Sequence, residues 1–68
     1  MYRVLCNDTK DVVTDYIQYE DALKIMRELN CTKDKRHYAR NWIDNIEREL
    51  CIDSTGKIEY GSYVIIDK

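Results

Sequence analysis

Polar and apolar positions along the chain fall into two rhythms, one near both ends and another through the middle. "YRVLC" (2–6) and "DVVTDYI" (11–17) are rich in β-branched and aromatic residues, the side chains that suit a pleated surface. Between them stands "NDTK" (7–10), a polar turn-forming cluster, so the first seventeen residues predict a β-hairpin. From "YEDALKIMRELN" (19–30) the period changes, with Ala22, Leu23, Ile25, Met26 and Leu29 recurring at helical spacing. Glu20 and Asp21 occupy the first turn, where the helix dipole favours anions, and Asn30 makes a reasonable C-terminal stop.

"KRHYARNWIDNIEREL" (35–50) reads as a second helix. Tyr38, Ala39, Trp42, Ile43, Ile46 and Leu50 make one apolar stripe, with Arg36, Arg40, Asp44, Glu47 and Arg48 on the other faces. Thr32 or Asp34 can cap its start, and Trp42, inside the stripe, is expected to anchor the core. "CIDSTGKIEYGSYVIIDK" (51–68) returns to strand chemistry, with "DSTG" and "YGS" as turns in which Gly56 and Gly61 supply positive φ. The predicted order is β-β-α-α-β-β. The fold class is α+β: one domain over 1–68, a small antiparallel sheet with two helices packed on one face.

Size narrows the function classes. A chain of 68 residues buries only about 60% of its unfolded surface. That leaves little room for both a core and a deep substrate pocket, so a binding surface is expected rather than a catalytic cleft. Self-association would bury more area, which makes a homodimer a reasonable partner state. Two distant glycines cannot form a phosphate loop. No catalytic residue, cofactor or metal site is expected, and no membrane-spanning run is present.

Three cysteines, Cys6, Cys31 and Cys51, are odd in number and widely spaced, without a C-x-x-C pair. They read as free, mostly buried thiols in a reducing cytosol. A meeting of the three with His37, the only histidine, has nothing in the spacing to recommend it. The cations around Cys31 make it the thiol expected to be most reactive.

Charge is distributed unevenly. The chain is acidic overall, with a net charge of −2, yet "KDKRHYAR" (33–40) gathers Lys33, Lys35, Arg36, Arg40 and His37. Cations at a helix start oppose the dipole, so they answer either to carboxylates elsewhere in the fold or to a partner. Arg36 and Arg40, four apart, would share a helix face. This basic set is one candidate partner-binding patch. The acidic set Asp8, Asp11, Asp15, Asp44 and Glu47 is the other, suited to a cationic groove that normally holds nucleic acid. Direct nucleic-acid binding comes second. The second helix would then read DNA as in a winged helix, with "STGKIEYGSY" as the wing, but Asp44, Glu47 and Glu49 would repel phosphates.

In size, acidity and a composition rich in Lys, Ile, Asp, Asn and Tyr, the chain resembles small orphan proteins of phages and mobile elements, a group that includes anti-CRISPR and other anti-defence inhibitors. The resemblance lies in composition over the whole chain and so carries no functional residue. It implies a cytoplasmic protein-interaction module, a stoichiometric inhibitor whose partner is a host nucleic-acid-binding enzyme or complex.

Overall fold

A computed structural model describes residues 1–68. The elements are β1 (Tyr2–Cys6), β2 (Val12–Ile17), α1 (Tyr19–Asn30), β3 (Lys35–Ile43), β4 (Ile46–Asp53) and β5 (Ile58–Asp67). The strands form one antiparallel sheet in the order β2-β1-β5-β4-β3. The first hairpin and α1 stand where the periodicity predicts them. The second helix does not exist, and one helix rather than two covers the sheet.

The segment 35–50 is instead a hairpin. Ile43 pairs with Ile46, leaving Asp44 and Asn45 as a two-residue loop. Their φ angles of 51° and 66° are those of a type I′ turn, whose twist matches that of paired strands. Asp and Asn tolerate the left-handed region better than most residues. The helical reading fails because Ile43 and Ile46, three apart in sequence, are partners across the turn rather than neighbours on a helix. The recognition helix of a winged-helix arrangement is thereby removed.

Residues paired directly across an antiparallel ladder share a face, so the register sorts every strand. The face under α1 carries Tyr2, Val4, Tyr63 and Ile65. On β4 it carries Glu47, Glu49 and Cys51, all buried. Val4, Ala22, Met26 and Ile65 form the fully buried core, with Ile17, Tyr19, Leu23, Ile25 and Leu29 packed against it. The amphipathic stripe of α1 thus meets the central strands, as its spacing predicts.

The far end of α1 is fastened by its last residue. Asn30 is buried, and its amide brackets the backbone of Tyr63: Tyr63 N–H donates to Oδ1 at 2.8 Å and Nδ2 donates to the Tyr63 carbonyl at 2.9 Å. Gly61 lies directly beneath, and a Cβ there would collide with the Asn30 side chain. "YGS" is therefore no turn but part of β5. Gly61 is present for close approach rather than positive φ, whereas Gly56 has the φ of 88° expected of it.

Candidate interaction surfaces and a buried polar cluster

The basic set lies along β3, an edge strand with one unpaired side. Edge strands rich in Lys and Arg resist pairing with another chain, so the fold gives these cations a local reason to be there. They do not share one face. Arg36 pairs with Ile52 and Arg40 with Glu49. Plain alternation would keep residues four apart on one face, but a register shift between His37 and Ala39 turns the two to opposite faces. Lys35 donates to Glu59 at 2.8 Å, which holds the Glu59 carboxyl below its ordinary pKa. Lys33, Arg36 and Arg40 are exposed.

The acidic set is dispersed. Asp8 and Asp11 belong to the β1–β2 turn at one end of the sheet, and Asp44 to the β3–β4 turn at the other. Asp15 accepts from Arg3 at 2.7 Å and pairs with Lys68 at 3.5 Å. The Arg3 hydrogen bond holds its carboxyl below the usual range. Glu47 does not share a helix face with Asp44. It is buried, accepting the Tyr19 hydroxyl at 2.6 Å and 2.8 Å on its two oxygens. Burial, then this carboxylate, pushes Tyr19 up to about 12. Trp42 is not the core anchor expected of it. It is 45% exposed and leans on Tyr2 and Tyr19, with ring centroids 6.5 and 6.3 Å away.

The face turned away from α1 has no covering element. Strand β4 sends its carboxylates Glu47 and Glu49 under the helix and its aliphatics Ile46, Leu50 and Ile52 outward, an inversion of the usual pattern. Opposite them stand Ile66, Tyr60 and Ile58. Ile43, Ile58 and Tyr60 are 49%, 44% and 48% exposed. Arg36 and Arg48 also lie on this face, the latter with its guanidinium 5.7 Å from the centre of the Tyr60 ring. No β4 carboxylate joins them.

Beneath the end of α1 a polar cluster closes around Glu49, whose side chain is fully buried. His37 Nδ1 lies 2.7 Å from Oε2, Arg27 Nε 3.5 Å from the same oxygen, and Asn30 Nδ2 donates to Oε1 at 3.4 Å. Next in the cluster are two thiols, Cys31 Sγ and Cys51 Sγ, 3.7 Å apart. One carboxylate oxygen of Glu49 and both sulfurs lie within 4.8 Å of one another. Sequence spacing gave no reason to expect this meeting of Cys31, Cys51 and His37. The chain makes it by placing Cys31 at the C-cap of α1 and pairing His37 with Cys51 across β3 and β4. Cys6 belongs to β1 and takes no part.

Thiol chemistry is reordered accordingly. Burial, then the Cys51 thiol and Glu49, pushes Cys31 up to about 12, and burial also raises Cys51. Burial thus works against the reactivity that its sequence neighbours suggest for Cys31. Cys6 is lowered by hydrogen bonds, first from the Thr9 side chain and then from backbone N–H groups.

No family model, curated protein or solved structure matches the chain. No helix is long and apolar enough to cross a membrane.

Proposed function

We propose that the protein is an interaction module that presents the uncovered face of its sheet to another protein, and that it acts as a stoichiometric inhibitor of a host nucleic-acid-processing complex. The observation that carries the first part is the inversion in β4: aliphatics point outward and carboxylates inward. Leu5 and Val64 are buried within this face and Ile46, Leu50 and Ile52 half-buried, while Ile43, Ile58 and Tyr60 stand exposed around them. Exposed apolar side chains grouped in this way mark a contact site. With Arg36 and Arg48 on the same face, the matching partner surface is apolar with acidic groups. Arg and Tyr are also the side chains that most often dominate binding energy. The inhibitor role is supported by the compositional resemblance alone. The dispersed acidic set, with Asp15 and Glu47 already engaged within the chain, removes the support that a phosphate-mimicking face would have lent.

The test is capture from host lysate with nuclease present, using the unaltered chain and an Ile58→Asp variant. Ile58 is half-exposed, so the variant should fold. The expected result is one partner at equal stoichiometry, surviving nuclease and lost at least tenfold with Ile58→Asp, whose nucleic-acid-processing activity falls as the protein is titrated to one equivalent. A catch that vanishes with nuclease, or that ignores Ile58→Asp, overturns the reading.

A further inference from the structure

We propose that Cys31, Cys51 and Glu49 form a binding site for a zinc-class divalent metal ion, with His37 as the residue that positions the Glu49 carboxylate. The site is separate from the uncovered sheet face, on the opposite side of the sheet.

The sulfur separation is the first argument. A metal about 2.3 Å from each sulfur, with the sulfurs 3.7 Å apart, subtends an S–metal–S angle of about 107°, close to the tetrahedral value. The two thiols therefore need no rearrangement to share an ion. The second argument is the convergent oxygen. Glu49 brings a carboxylate within 4.8 Å of both sulfurs while its side chain is wholly withdrawn from water. Burying a carboxylate is costly unless charge and hydrogen bonds compensate. Asn30 and His37 reach the carboxylate at hydrogen-bond distance, while Arg27 sits 3.5 Å away with Nε making no hydrogen bond. A disulfide between the two cysteines would have no use for this oxygen, whereas a metal site requires a third donor.

Charge also closes. Two thiolates and Glu49 carry three negative charges, which a dication and Arg27 balance. Binding displaces the two thiol protons to solvent. Mixed sulfur and oxygen donors exclude magnesium and calcium, which take oxygen alone, and suit zinc and its neighbours. His37 Nδ1, 2.7 Å from Oε2, gives the carboxylate the outer hydrogen bond that metal ligands usually have. Entry is by way of Cys31, half-buried at the helix end.

The experiment adds cobalt(II) to the reduced chain without oxygen, then displaces it with zinc. The expected result is thiolate-to-cobalt charge transfer with tetrahedral d–d bands, saturating at one equivalent. Cys6→Ser should leave them intact. Cys31→Ser and Cys51→Ser should each abolish them, with circular dichroism showing that the variants fold. His37→Ala should weaken binding about 10–100-fold. With zinc bound, Cys6 alone should react with iodoacetamide. Absence of charge transfer in the unaltered chain overturns the proposal, as does its survival in Cys31→Ser. A Cys31–Cys51 disulfide that forms equally fast with and without zinc overturns it too.

Discussion

Asn30 shows how much a single side chain can hold. Its amide is the clasp between α1 and β5, satisfying both backbone groups of Tyr63. Replacing it with Ala leaves a buried donor and acceptor without that partner, at a cost of about 2–3 kcal/mol. Gly61→Ala should cost a similar amount for the opposite reason, since its methyl group occupies the space of the amide. Because the two act on one contact, the double variant should lose clearly less than the sum of the singles, read from urea midpoints. The sequence marks both residues: Asn30 does end α1, as its stop signal predicts, but Gly61 stands in a strand and not in a turn. Nothing local reveals that the two meet across more than thirty positions.

Among the elements, the β3–β4 hairpin carries the clearest lesson. The hairpin signal is present in the sequence as "IDNI", yet Asp-Asn lacks the glycine that usually announces a type I′ turn. The strand signal is weakened further because β4 places Glu47 and Glu49 where a core-facing strand would carry aliphatics. Alternation survives, but with its sense inverted. Helical spacing then wins by default, since an apolar pair flanking a two-residue loop is three apart, like neighbours on a helix. By contrast α1 was fully legible, because its stripe faces an ordinary apolar core. Asn45 has a φ of 66°, which glycine adopts at less cost. Asn45→Gly should therefore stabilise the protein by about 0.5–1 kcal/mol, raising its melting temperature by several degrees in calorimetry.

For the molecule as a whole, two ion pairs contribute to the acid limb of stability. Asp15 and Glu59 are held below their ordinary values by Arg3 and Lys35 respectively. Their folded pKa values are depressed, so their contribution is complete above the unfolded values near 4. It is lost as pH falls through the folded values. The melting temperature should be level from about pH 6 to 5 and drop below about pH 4. Arg3→Met should flatten that drop. An acid limb unchanged by Arg3→Met would show that the pair is too exposed to matter. The candidate site was less legible than the fold at this scale. The basic run reads as a helix start and lies instead on the edge strand β3, and neither the open face nor the thiol cluster can be read without the register that assembles them.

The place of β5 has a consequence for how the protein comes into being. It lies between β1 and β4 in the middle of the sheet, yet it follows every other strand in the chain. On a ribosome, β1–β2 and β3–β4 emerge as two separate hairpins with no shared ladder, each too small to persist in water. Only when residues through Asp67 have cleared the exit tunnel can the middle be filled, so the fold must form after synthesis of this segment rather than during it. Until then both hairpins expose strand edges to their surroundings, and a chain stalled before Ile58 is a ready substrate for chaperones and proteases.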